Sequence, residues 1–161
     1  MAEKKTNAMR QLDKAKIAYT VHTYEAEDGA IDGVSVALKC NEDPSCVYKT
    51  LVTQGADHNY YVFVIPVAEE LDLKKCAVCA GVKSVEMIHV KDLLKITGYI
   101  RGGCSPIGMK KQFRTFIDER VLQCAAVLVS GGRIGTQVDM KPEDLLKAAS
   151  AETADLCRLI R

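Results

Sequence analysis

The segment Gly98-Tyr-Ile-Arg-Gly-Gly-Cys-Ser-Pro-Ile-Gly108 carries four glycines and a Ser-Pro pair within eleven residues, more backbone punctuation than joining two elements requires. Glycine lets a ligand come close to the main chain and leaves N–H groups unobstructed. Pro106 stiffens the loop, so those donors need not reorganise when negative charge develops on an oxygen. Such a loop can cradle an oxyanion or a carboxylate; the plainer alternative is a tight, buried turn. It lacks the spacing of a Walker phosphate loop. Lys49, in Val47-Tyr-Lys-Thr-Leu51, is the second residue with chemical promise. A strand lysine is ordinarily a solvated, outward residue. Facing a pocket, its ammonium could bind a phosphate or carbonyl oxygen, or act as a base with a depressed pKa. The sequence leaves those roles open.

Other reactive side chains read as structural. Cys76-Ala-Val-Cys79 has no second cysteine or histidine pair at the spacing of a metal ribbon. On a helix, residues three apart share a face, which favours core packing. His22, His58 and His89 are far apart, with no paired acid pattern suggesting a triad. Cys104 has no recognisable base beside it, so a packing or lining role is expected. No metal and no cofactor are expected.

Elements must position the loop and the lysine. Thr6 caps a helix on which Met9, Leu12 and Ala15 recur, followed by a strand over 17–24. Gly29 and Gly33 flank a loop, and Val34, Ala37 and Leu38 line a short helix that ends before Pro44. β-Branched and aromatic residues over 47–53 and 60–65, separated by a polar insert, predict an antiparallel hairpin. Helices are expected over 71–80, stopped by Gly81, and over 90–97, stopped by Gly98. Strands are expected over 113–117, 125–130 and 136–140, with an acidic turn around 118–120 and a glycine-rich one over 131–135. A last helix starts at Pro142-Glu-Asp144, where proline and two acids suit the N-terminal turn.

The 161 residues are enough for one core, and 48% hydrophobic with 27% charged residues is the balance of a soluble protein. No apolar run approaches the length of a membrane span, and the N-terminal segment lacks a secretory pattern, so a cytoplasmic location is expected. Seven cysteines, an odd number, read as free thiols in a reducing compartment. A net charge of +1 gives no global field for a polyanion. No membrane and no DNA partner is expected, and any nucleic-acid contact should be local or shared with a partner.

The ordered set Val47-Tyr-Lys-Thr-Leu51, Pro66-Val-Ala68, Leu71-Asp-Leu-Lys-Lys75, Gly98-Tyr with Gly102-Gly-Cys-Ser-Pro-Ile-Gly108, and Val129-Ser-Gly-Gly132 resembles the YbaK/EbsC family of aminoacyl-tRNA editing deacylases. The likeness runs from about His22 to the last helix. It implies a single α/β domain over 1–161, with a mixed, mostly antiparallel, partly barrel-like sheet surrounded by short helices, of the type associated with prolyl-tRNA synthetase. It implies trans-editing: removal of a wrongly attached small amino acid, chiefly cysteine on tRNA(Pro), with tRNA(Cys) as a further carrier. A synthetase pocket separates near-isosteres by only about 1–3 kcal/mol per methylene, so a second site must remove the error. In the family the substrate's own thiol is thought to attack its ester carbonyl, giving a thiolactone and free tRNA, which explains the lyase class given beside hydrolase. Ala-tRNA(Pro) deacylation and a non-catalytic aminoacyl- or nucleotide-binding module are the alternatives.

By the same resemblance Lys49 is the catalytic residue, through its side chain or its backbone. Gly102 and Gly103 form the donor wall, in a loop that also brings Ser105 and Pro106 to the substrate. Thr50 and Ser130 make the polar floor and Tyr24 one side. The implied partners are the acceptor end of aminoacyl-tRNA and prolyl-tRNA synthetase. Two departures bear on substrate preference: Ile31-Asp32-Gly33 stands where relatives have an aromatic residue, and Gln137 where they have an aspartate. Losing a carboxylate beside the pocket alters how a substrate ammonium is held, so alanine or another small amino acid could replace cysteine.

Overall fold

Tyr60–Pro66 is apolar at nearly every position and forms strand β3, the middle of a five-stranded sheet. Period-two alternation sends Val62 and Val64 into one hydrophobic cluster, with Leu12, Ile117, Val129 and Leu145. Tyr61, Phe63 and Ile65 go into a second cluster, with Cys76, Phe116 and Leu156. A strand buried on both faces must read as a continuous apolar run. Each fully buried large side chain contributes about 1.5–3 kcal/mol, and Phe63 also stacks on Phe116 with centroids 5.5 Å apart.

The structure, a computed structural model, describes residues 4–29 and 32–158. Ile31 of the departing segment and the first three residues of the N-terminal segment lie outside them. Helix α1 (Asn7–Lys14) is capped by Thr6, whose hydroxyl accepts from the Met9 N–H at 3.2 Å. Strand β1 (Thr20–Thr23) follows, then α2 (Gly33–Lys39), whose Asp32 cap accepts from Ser35. A single 3-10 turn at Pro44–Cys46 leads into β2 (Tyr48–Gly55), which pairs with β3 in the expected antiparallel hairpin. Helix α3 (Leu73–Ala80) ends on left-handed Gly81, and α4 (Val90–Thr97) on left-handed Gly98. Between them lies β4 (Val85–Met87). The chain closes with β5 (Arg114–Asp118), a 3-10 segment at Glu119–Gln123, β6 (Val127–Arg133), β7 (Thr136–Met140), α5 (Pro142–Ala148) and β8 (Ala151–Ala154).

The large sheet has the order β4-β2-β3-β5-β8 and the small one β1-β7-β6. Four pairings are antiparallel, while β3–β5 and β5–β8 run parallel. The mixed, mostly antiparallel α/β reading therefore holds. The sheets do not close into a barrel: among the described residues they meet at the seam of β2 and β6, through the bridge Val47–Leu128.

One expectation fails outright. Cys46 and Cys124 form a disulfide across a sequence separation of 78, instead of lying free. Both precede the seam strands, so the topology brings together two thiols that nothing in the linear sequence pairs. The remaining cysteines, Cys40, Cys76, Cys79, Cys104 and Cys157, are free thiols.

Candidate functional site

The seam between the sheets opens into a cavity of about 190 Å³. That is smaller than the roughly 300–1,000 Å³ of sites for drug-sized ligands, so it suits a small group attached to something larger. Strand β2 supplies Lys49 and Thr50, β6 supplies Ser130 and β7 supplies Gln137. Tyr24, just past β1, closes one side, and Val36, Val47 and Val67 give an apolar wall. Arg101, Gly102 and Cys104 bring the glycine-rich loop to the cavity.

The loop's shape follows from its own residues. Left-handed Gly98 ends α4, and the Thr97 hydroxyl donates to the Leu93 carbonyl while accepting from the Tyr99 N–H at 3.0 Å. The Tyr99 hydroxyl donates to the Ile107 carbonyl at 2.7 Å, and Ser105 Oγ accepts from the Ile107 N–H at 3.3 Å. Gly102 sits at φ +85°, a conformation that side chains with a Cβ adopt at a cost. At Gly103 a Cβ would lie 2.9 Å from Arg133 Cα, so the loop is pressed onto the β6–β7 turn. The Gly103 N–H donates to the Ile100 carbonyl at 2.9 Å.

The structure thus divides the residues named from the sequence. Lys49, Tyr24, Thr50, Gly102 and Ser130 share the cavity. Gly103, Ser105 and Pro106 are buried in the body of the loop and are not among the cavity's lining. They shape the segment that presents Gly102. Arg101, Tyr48, Val36 and Val67 line the cavity without having been singled out. A solvated arginine beside glycines and valines in core-like patterns carry no sequence signal of their own.

Polar satisfaction sets this cavity apart. Among the described residues the buried side-chain polar atoms without a hydrogen-bond partner are Tyr24 Oη, Tyr48 Oη, Thr50 Oγ1 and Gln137 Oε1. All four residues line this one cavity. Each unmet buried group costs about 1–3 kcal/mol, so their concentration marks a place built for a polar ligand. Cys104 does not add a nucleophile there. Burial pushes its thiol up to about 12, against a smaller lowering by Thr97, and it is protonated at neutral pH.

His22, for which no acid partner was expected, pairs with Asp139 through its Nε2. The pair spans β1 and β7 diagonally, Asp139 lying two residues along β7 from Gln137, the register partner of His22, a proximity visible only in the register. Neither residue lines the cavity. Among the described residues no group of three or more His, Cys, Asp or Glu side chains is gathered to hold a metal ion. Among the described residues no helix is long and apolar enough to cross a membrane.

Comparison with known proteins gives likenesses of three kinds. The family model of an aminoacyl-tRNA editing domain matches residues 31–148. EbsC of Enterococcus faecalis (strain ATCC 700802 / V583), a proposed Cys-tRNA(Pro)/Cys-tRNA(Cys) deacylase, is 44% identical over 154 residues, covering 96% of this chain and 94% of the relative. Two crystal structures share the fold. A proposed trans-editing enzyme for prolyl-tRNA synthetase has a TM-score of 0.85 at 22% identity, covering 98% of this chain and 100% of that one. The hypothetical protein APE2540 has a TM-score of 0.86 at 20% identity, covering 94% and 99%.

Proposed function

The chain belongs to the aminoacyl-tRNA editing family, and from that premise we propose that it is a single-domain trans-editing deacylase removing a wrongly attached small amino acid, chiefly cysteine, from tRNA(Pro). The observation that carries this reading is the meeting of Lys49, Gly102 and the unsatisfied polar groups of Tyr24, Thr50 and Gln137 in one small cavity. The relative EbsC, proposed to act on Cys-tRNA(Pro) and Cys-tRNA(Cys), supports the choice of load.

The cavity provides an electrostatic and positioning device rather than a nucleophile. With Cys104 protonated, the attacking group comes from the substrate: the cysteinyl thiol loses its proton and its sulfur bonds to the ester carbonyl carbon. The carbon–oxygen bond to the ribose then breaks, and the leaving oxygen takes up a proton. Atoms balance as thiolactone plus free tRNA. In this reading Lys49 and the Gly102 N–H, both from the cavity lining, serve the carbonyl oxygen as negative charge gathers on it, and preorganised donors of this kind are worth about 10²–10³ in rate each. The acceptor end of aminoacyl-tRNA is the partner at the cavity. Prolyl-tRNA synthetase is the macromolecular partner that the resemblance implies, a net charge of +1 favouring a shared over an autonomous grip on tRNA, and the cytoplasm is where both would be met.

Gln137 favours a second reading. A neutral amide in place of a carboxylate weakens the selection of a charged amine, and Ala-tRNA(Pro) then becomes a competing substrate. Incubating the protein with Cys-tRNA(Pro) and with Ala-tRNA(Pro) tests both. The expected outcome is release of cysteine, with kcat/KM falling by about 100-fold or more in Lys49→Ala. Faster release of alanine would install the second reading. Absence of release from either, with binding retained, would leave a non-catalytic binding module.

A further inference from the structure

The charges around the cavity are one-sided. Among the described residues its lining holds two cationic side chains, Lys49 and Arg101, and no carboxylate. An aminoacyl ester brings a positive α-ammonium, which this lining repels. It also brings, one nucleoside away, a phosphodiester whose negative charge the lining complements. Within that lining Lys49 is half-buried, whereas Arg101 is exposed. No hydrogen bond or ion pair occupies the Arg101 guanidinium among the described residues. It is followed by Gly102, whose missing side chain lets a strand of nucleic acid approach the main chain. A guanidinium presents a planar fork of donors matched to two phosphate oxygens.

Resting on the deacylase reading, we propose that Arg101 grips the phosphodiester on the 5′ side of the terminal adenosine. The substrate is then anchored by its last phosphate, and the unsatisfied oxygens of Tyr24, Thr50 and Gln137 are left to read the amino acid. Lys49 serves the ester and Arg101 the phosphate, so the two cations divide the positive charge between reaction and anchoring. Discrimination among amino acids then depends on the neutral oxygens and the valine wall, not on a salt bridge to the ammonium.

Two substrates with the same ester separate anchoring from chemistry: Cys-tRNA(Pro), and 3′-O-cysteinyl adenosine, which has no phosphate. Arg101→Ala is expected to lower kcat/KM on Cys-tRNA(Pro) by about 10–100-fold, and at least tenfold more than on cysteinyl adenosine. Arg101→Lys should recover part of the loss. The slope of log kcat/KM against log salt should become shallower by about 0.7, the value for one phosphate contact on a single strand. Equal losses on both substrates, or no loss on the tRNA, would overturn the proposal. Fluorescence anisotropy with a labelled cytidyl-cytidyl-adenosine trinucleotide provides a readout independent of turnover. About tenfold weaker binding by Arg101→Ala is expected, and equal binding sinks the idea. Should the wild type cleave neither ester, the deacylase reading fails while this binding comparison still decides Arg101. Inorganic phosphate that displaces the trinucleotide at equal concentration would reduce Arg101 to a general anion contact and defeat the proposal.

Discussion

Cys104 shows how burial decides what a residue can do. Its place in a glycine-rich loop invites a nucleophile, yet a thiol held near pKa 12 is a small apolar wall at neutral pH. Cys104→Ala is expected to cost less than about tenfold in Cys-tRNA deacylation, and the wild-type rate should not climb toward pH 12 as a thiolate nucleophile would require. A loss of a thousandfold, or a trapped acyl group on Cys104, would contradict this. The cavity-lining members Lys49, Tyr24, Thr50, Gly102 and Ser130 were legible because they stand in ordered motifs that resemble the family. The same motifs also pointed to Gly103, Ser105 and Pro106, whose work is to hold the loop. A motif records which residues recur together, not which of them face a cavity. Arg101 has no such signal, because a lone arginine among glycines reads as an ordinary solvated side chain.

At the end of β5, Asp118 ties three elements together. Its carboxylate accepts from Arg120 Nε at 3.0 Å, from the Arg120 N–H at 3.1 Å and from the Leu156 N–H at 3.2 Å, just past β8. Burial raises its pKa, but these hydrogen bonds together outweigh burial and hold the carboxyl below the ordinary range. A lowered folded-state pKa gives stability that is fully present above the unfolded value of about 4 and is lost as pH falls through the folded value. Asp118→Asn should therefore destabilise the protein by roughly 1–3 kcal/mol at pH 7, a figure discounted for the partial exposure of Arg120. Urea unfolding should show that difference shrinking toward pH 3; a constant difference would mean that charge is not the cause. The strand that this aspartate secures was not foreseen. Ala151-Glu-Thr-Ala154 has little β-branched bulk and owes its conformation to parallel pairing with β5. Three-residue β4 is likewise made a strand by β2. By contrast, α1 carries its cap in the sequence at Thr6, α3 and α4 carry their stops at Gly81 and Gly98, and the β2–β3 hairpin carries its apolar runs.

At the scale of the molecule, two sheets share one seam, and the cavity lies in it. The Cys46–Cys124 disulfide fastens the segments entering that seam, with Lys49 and Ser130 a few residues beyond each half-cystine. A disulfide typically stabilises a fold by about 2–4 kcal/mol. The double substitution Cys46→Ser with Cys124→Ser should lower the unfolding free energy by about that amount in the absence of reductant. Dithiothreitol should bring the wild type down to the variant and leave the variant where it is. Coincident unfolding curves for wild type and variant without reductant would show that the bridge does not form in solution. With the bridge in place, the chemistry of the proposed substrate sets a trap for whoever handles it. Cysteinyl-tRNA stays reactive only while its thiol is kept from oxidising, and the reagent that protects the thiol also opens the bridge. Freshness of the substrate and rigidity of the enzyme would then pull the assay buffer in opposite directions, and a rate measured in one redox state would not carry over to the other.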